Sequence, residues 1–352
     1  MRKSSAHLFY DSIATMTQGF WGKLKRPFFV MAPMADVTDA AFRRLIAKYS
    51  NHGKLQGGPD VFYTEFVSCD GLCSAGRPAL LTDFKYSEEE HPIVAQIFGS
   101  NPEHFRECAA LIKDLGFDGI DINMGCPDKS VEKQCAGAAL IKTPALAREL
   151  IRAAKEGSGG LPVSVKTRVG YNKVILDKWL PEILAEEPAV VTIHARTRKE
   201  MSLVPARWEH VAHAVVIARD FAEKHGTERT LIVGNGDVKD LSDAKEKARE
   251  TGADGVMLGR AIFGNPWLFA DIPSPTIGEK LRVMVEHTHL FEELLGGVKN
   301  FAIMKKHYKA YVNGFEGAKE LRMKLMSAKN SNEVESITNT FIESGVIRPT
   351  TQ

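Results

Sequence analysis

The chain has 352 residues, 44% apolar and 26% charged, which is more than one core of ordinary size requires and predicts a large α/β unit with a smaller appendage. No run approaches the roughly 18 uninterrupted apolar residues of a membrane helix, so no membrane association is expected. A net charge of +2 is too mild to mark a nucleic-acid binder, and any such reading must come from local clustering.

Residues 1–27 carry Arg2, Lys3 and a single acid, Asp11, a composition faintly like a transit peptide. The better reading is an N-terminal extension that covers a barrel surface with Leu8, Phe9, Ile13, Phe20 and Trp21. Eight short runs rich in β-branched or aromatic residues follow: Phe28 to Met34, Val61 to Phe66, Pro92 to Phe98, Gly119 to Asn123, Pro162 to Thr167, Val190 to His194, Thr230 to Val233 and Gly255 to Leu258. They read as near-continuously apolar strands, as in a parallel sheet covered on both faces. Between them lie helix-like stretches, one over Asp39 to Ser50 opening on Thr38, another over Pro102 to Leu115 opening on Asn101 and ending at Gly116. Eight βα units over residues 28–272 predict a (β/α)8 TIM barrel.

After Pro273 and Pro275 the pattern changes to three or four amphipathic helices, a second domain spanning 276–352. Residues 299–329 hold Lys299, Lys305, Lys306, Lys309, Lys319, Arg322, Lys324 and Lys329 against Glu316 and Glu320, a local charge of +6. Alone, such a run reads as a solvated helix face.

In a barrel of this type the residues that follow the strands converge on one mouth. Here the strand ends read Ala32-Pro33-Met34-Ala35-Asp36-Val37-Thr38-Asp39, Gln96, Asp121-Ile122-Asn123-Met124-Gly125-Cys126-Pro127, Lys166-Thr167-Arg168-Val169-Gly170 and His194-Ala195-Arg196-Thr197-Arg198. Any one has an ordinary structural use, but five at corresponding positions predict a site. Strands seven and eight end in Gly234-Asn235-Gly236-Asp237 and Gly259-Arg260, where glycines let backbone N–H groups approach a phosphate and Arg260 adds a bidentate contact. The five cysteines, Cys69, Cys73, Cys108, Cys126 and Cys135, lie in a long chain without a secretory core, which predicts reduced thiols and a cytoplasmic setting. Cys69-x-x-x-Cys73 lacks a second pair at zinc-like spacing, so no metal is expected.

Together with Thr38-Asp39 and Gly137-Ala138-Ala139-Leu140, these motifs resemble the tRNA-dihydrouridine synthases, over about residues 20–270 and more weakly at Met304-Lys305-Lys306-His307-Tyr308. The resemblance implies a monomeric enzyme that holds FMN, recharges it with NADPH or NADH, and reduces uridine in tRNA. It places Ala32, Pro33, Met34 and Gln96 beside the flavin ring, Asn123 near the reacting face, and Lys166 and His194 along the flavin. Asn235, Gly236, Asp237, Gly259 and Arg260 would then hold ribityl and phosphate. It makes Cys126 the acid that protonates uracil carbon 5 while hydride reaches carbon 6. It also gives the basic helices a reason to be basic: Lys305, Lys306 and Lys309 would contact tRNA phosphates, and Arg196 and Arg198 would extend that surface or hold the uridine's phosphate.

Two departures from the family pattern stand out. Met201-Ser202-Leu203-Val204-Pro205-Ala206-Arg207-Trp208 replaces a Tyr-x-Gly-x-Ala-Asp-Trp-like stretch, and Cys135 stands where glycine is common. The rival readings are a related FMN barrel acting on a free pyrimidine, which would need no basic lobe, and a tRNA-binding protein without chemistry, which would need neither Cys126 nor Lys166.

Overall fold

The structure, a computed structural model, describes residues 17–54, 58–270, 272 and 275–345. Its strands are β1 (Phe28–Met31), β2 (Phe62–Ser68), β3 (Ile93–Phe98), β4 (Gly119–Met124), β5 (Val163–Arg168), β6 (Val190–His194), β7 (Leu231–Asn235) and β8 (Gly255–Leu258). All pair in parallel, in the order β1-β8-β7-β6-β5-β4-β3-β2. A parallel bridge from Val30 to Val61 joins β1 to β2 and closes the ring. The fold is the TIM barrel that the eight runs predicted.

The strands are not continuously apolar, which corrects the first reading. Outward positions such as Ile120, Ile122, Val163, Val165, Val191, Ile193, Ile232 and Val256 pack under the helices. Inward positions change character along the barrel axis. Toward the N-terminal end they are Phe28, Val30, Val61, Tyr63, Val94, Val190, Leu231 and Val233. Beyond them come Gln96, Asp121, Ser164 and Thr192, all buried. Trp21, in the short turn Gly19–Lys23, lies fully buried against Phe28 and Tyr63 and stoppers the apolar end. The extension therefore contributes a plug at Trp21; Leu8, Phe9 and Ile13 fall outside the described residues.

Six crossover helices wrap the strands: α1 (Ala40–Tyr49), α2 (Pro102–Asp114), α3 (Pro144–Gly157), α4 (Leu176–Leu184), α5 (Glu209–His225) and α6 (Leu241–Thr251). Helix α1 opens on Asp39 rather than Thr38: the Asp39 carboxylate accepts the Phe42 N–H at 3.0 Å. The Thr38 hydroxyl instead accepts the Met34 N–H at 2.9 Å and pins the turn after β1.

Four further helices follow, α7 (Ile277–Leu295), α8 (Met304–Tyr311), α9 (Ala318–Leu325) and α10 (Ser331–Glu343). Thr276 and Glu279 form a capping box that starts α7. Leu281, Met284, Phe291, Tyr308, Leu321 and Val334 make a second apolar core that continues into Ala41 and Leu45 of α1, so the helical lobe sits on the first barrel helix. Ion pairs bind the seam. Lys48 meets Glu286 at 2.6 Å, Lys306 meets Asp36 at 2.8 Å, and Lys299 meets both Asp83, at 2.7 Å, and Glu65. No helix among the described residues is long and apolar enough to cross a membrane.

Candidate active site at the barrel mouth

The C-terminal ends of the strands enclose a cavity of about 750 Å³. It is lined by Cys126, by all twelve residues expected to hold the cofactor, and by Arg196. A ladder of hydrogen bonds across three strands sets its geometry. Registers Gln96↔Asp121 and Asp121↔Ser164 bring inward polar groups level. The Ser164 hydroxyl and the Gln96 amide nitrogen both donate to Asp121, each at 2.6 Å. That fixes the Gln96 oxygen as acceptor for the Asn123 amide nitrogen at 3.1 Å. The Asn123 oxygen then accepts the N–H groups of Gly125 at 3.1 Å and Cys126 at 2.9 Å, so the turn carrying the thiol is held from below. Asp121 stood in the strand-end run without an assigned role, and Ser164, buried and essential to this ladder, was not among the expected site residues.

Burial pushes the Cys126 thiol up from its ordinary value, so it is protonated at neutral pH. Lys166 is pulled down to about 8, first by burial and then by Arg168. Its ammonium donates to the Asn235 side-chain oxygen at 3.2 Å. Arg168, 5% exposed, donates to the Gly125 carbonyl at 2.8 Å and the Thr197 carbonyl at 3.1 Å, tying the loops after β4 and β6 together. Burial holds His194 well below the ordinary imidazole range, with Lys166 and Arg168 adding to the effect. Its Nε2 lies 3.2 Å from the Arg196 guanidinium, which only donates, so the neutral ring carries its proton on Nδ1.

At the far corner, the Asp237 carboxylate bridges Arg196 and Arg260 and accepts the Ala206 N–H at 2.8 Å. Hydrogen bonding from Arg196 holds that carboxyl below its usual range. A fixed anion would repel a phosphate, so the structure assigns Asp237 to aiming two arginines rather than to direct contact. Arg260, its side chain 67% exposed, stands at the rim. Gly236 has φ +127°, and a Cβ there would come within 2.8 Å of Ala206. At Gly259 a Cβ would meet Ala32 only at 3.5 Å, so the missing side chain leaves room in the cavity. Gly234 does not belong to this cradle. A Cβ on it would lie 2.3 Å from the Trp208 ring, outside the barrel, and it is a packing glycine.

The expected RNA contacts are dispersed. Arg196, its side chain 3% exposed, is an interior cavity residue and cannot extend an outer surface. Arg198 pairs with Glu132 and lies over the Tyr171 ring, bracing the β4 loop. Lys306 is committed to Asp36 and Lys299 to the seam, so two charges of the basic run are spent on holding the lobe. Lys309 and Lys319 are exposed and, with Arg322, line a shallow basin of about 430 Å³ beside Met323 and Met326. Lys305 is half-buried. No group of three or more His, Cys, Asp or Glu able to hold a metal occurs among the described residues.

A family model described as dihydrouridine synthase (Dus) matches residues 30–344. A "Probable tRNA-dihydrouridine synthase 2" of Bacillus subtilis (strain 168) is 40% identical over 330 residues, covering 93% of this chain and 97% of that protein. A "Probable tRNA-dihydrouridine synthase" of Staphylococcus aureus (strain Mu50 / ATCC 700699) is 41% identical over 330 residues, covering 93% and 96%. With that match running from β1 through the last helix, and the strand-end motifs gathered in one cavity, the chain belongs to the dihydrouridine synthase family.

Proposed function

We propose that the protein reduces the 5,6 double bond of a uridine in tRNA, with FMN in the barrel cavity and NADPH or NADH as reductant. One observation carries the reading: a protonated thiol, Cys126, and an enclosed cation, Lys166, line one cavity in a chain whose relatives are named for this reaction.

The lining suits FMN. Ala32, Pro33, Met34 and Met257 offer apolar surface for a flat ring, and Gln96 and Asn123 offer amides. Asn235, Gly236, Gly259 and Arg260 would hold ribityl and phosphate, helped by Lys239 and by the arginines that Asp237 aims. Lys166 and His194 would lie along the ring; Lys166, mostly charged at pH 7, favours negative charge on its pyrimidine edge. The volume lies within the usual range for a small-molecule site. FMN bound there would supply the hydride for uracil carbon 6. Cys126 holds the proton destined for carbon 5, and burial keeps it in place until the acceptor develops charge. The thiolate left behind faces Lys166 and Arg168, both of which favour it. Asn123 keeps the thiol's turn rigid through its two backbone hydrogen bonds.

Helices α7 to α10 form the lobe that holds RNA, with Lys305, Lys309 and Lys319 supplying sequence-independent phosphate contacts. A monomer in the cytoplasm is the proposed working form. The test is single-turnover reoxidation of nicotinamide-reduced protein by tRNA lacking dihydrouridine, with the product read by mass spectrometry. Dihydrouridine in the tRNA supports the reading. Reoxidation by free uracil or orotate alone replaces it with the free-pyrimidine enzyme, and protein that takes up no flavin removes the chemistry altogether.

A further inference from the structure

The loop between β6 and α5 carries Leu203, 85% exposed and the most exposed large apolar side chain among the described residues. A lone exposed leucine is ordinary on a protein surface, so exposure by itself assigns nothing. Its setting is not ordinary. The cavity's own buried arginines clamp the backbone on both sides of it: Arg168 donates to the Met201 carbonyl at 3.3 Å and Arg196 to the Val204 carbonyl at 2.6 Å. The Leu203 N–H closes a turn on the Glu200 carbonyl at 2.9 Å, and the Ala206 N–H is held by Asp237 at 2.8 Å. Met201 and Ser202, immediately before it, line the cavity, so Leu203 stands at the rim. Met201 is held at φ +52°, a left-handed conformation that a residue with a side chain adopts at a cost, and is itself 42% exposed. The loop is thus a fixed turn, anchored to the site, that presents Leu203 outward with Met201, at the cavity's edge, partly exposed beside it.

An occupant of matching chemistry follows from the proposed reaction, on which this inference rests. A uridine inside a folded RNA must leave its stack to reach a cavity in a barrel mouth, and its departure exposes the faces of the bases on either side to water. We infer that Leu203, backed by Met201, is a wedge that enters the base stack of a structured RNA and fills the place of the uridine turned into the cavity. An apolar side chain in that gap packs against both neighbouring bases and lowers the cost of extrusion, as apolar wedges do between base steps. Leucine has no hydrogen-bonding group, so the wedge is a positioning residue and reads no sequence.

The test compares wild type with Leu203→Ala and Leu203→Phe in single-turnover reoxidation by two substrates. One is folded tRNA lacking dihydrouridine; the other is a short unstructured oligoribonucleotide spanning the uridine that wild type modifies. Because the side chain is solvent-exposed, both variants should fold. Leu203→Ala is expected to lose about 10-fold or more on folded tRNA beyond any loss on the oligonucleotide, the scale of burying one leucine. Leu203→Phe should restore most of the folded-tRNA rate. Equal rates for Leu203→Ala and wild type on folded tRNA overturn the wedge, as does an equal loss on both substrates, which marks a disturbed loop. Wild type that reduces neither RNA overturns the proposed reaction itself, a result distinct from either of these.

Discussion

The two ends of the barrel are built from the same eight strands and have opposite characters. At the N-terminal end Trp21, Phe28, Val30, Val61 and Tyr63 fill the interior, and water is shut out. At the C-terminal end the inward positions of those strands carry Gln96, Asn123, Lys166, His194 and Asn235 around an open cavity. The apolar end gains stability from burial. The polar end does the reverse, enclosing a lysine and a histidine that burial shifts toward their neutral forms. Stability and chemistry have been separated along the barrel axis, so truncation at the apolar end should cost stability and spare the chemistry, while loss of a reactive or charged group at the polar end should cost chemistry without costing stability.

The largest expected effect tests the chemical end. Cys126→Ala should slow dihydrouridine formation by about 100-fold to 10,000-fold, the usual cost of losing a general acid. Its denaturation midpoint should stay close to that of wild type. Single-turnover reoxidation by tRNA measures the rate, and an unchanged rate would mean that water or another group supplies the proton. The opposite end comes next. Trp21→Ala should cost about 3–5 kcal/mol in urea unfolding, as for other large core aromatics, with kcat per folded molecule preserved. Lost activity in the folded fraction would break the separation.

Lys166→Met sharpens the comparison because it should stabilise flavin-free protein. In the folded state Lys166 titrates at about 8 against its ordinary 10.5, so at neutral pH the folded form carries a penalised charge. The unfolded chain binds more protons between those two values, and wild-type stability should therefore rise as pH increases through that window. The penalty is at most about 3 kcal/mol, reduced by solvent in the open mouth. Urea unfolding at pH 7 should show Lys166→Met more stable than wild type, with the gap closing toward pH 10; a destabilised variant would refute the assignment.

A smaller change is expected away from the barrel. Reversing Lys305, Lys309 and Lys319 to Glu should lower tRNA affinity and flatten its dependence on salt by about 0.7–0.9 in log–log slope for every phosphate that is no longer neutralised. An unchanged slope would place the RNA elsewhere. The smallest effect belongs to Cys135, exposed and held at φ +57°. Cys135→Gly should relieve a left-handed residue and add about 1 kcal/mol in urea unfolding without altering the rate of uridine reduction.

The sequence made the strands legible because their outward residues are β-branched and regularly spaced, and it made the site legible because strand ends in a barrel converge. What it hid depends on register and closure. Asp121 and Ser164 meet only because β3, β4 and β5 align as they do, and no local pattern announces that pairing. Arg196 and Asp237 lie 41 positions apart, so a surface role for Arg196 was natural until β6 and β7 placed them side by side. Gly234 was readable and was misread. It lies between the inward Val233 and Asn235, and the two-residue period of a strand turns it outward, toward Trp208. The commitment of Lys299 and Lys306 to barrel acids lay beyond any count of charges.

The Lys299 cluster gives the protein a class of ionic contact that responds to the surrounding electrolyte differently from its exposed lysines. The Lys299 side chain is 13% exposed, and its partners Glu65 and Asp83 are 6% and 21% exposed, so mobile ions reach this cluster poorly. Lys309 and Lys319, proposed to hold RNA, stand in open solvent, where each phosphate they neutralise is recovered by the surrounding cations as salt rises. Raising salt should therefore strip the nucleic acid first and leave the lobes clasped, yielding bare protein whose two halves remain aligned for the next substrate.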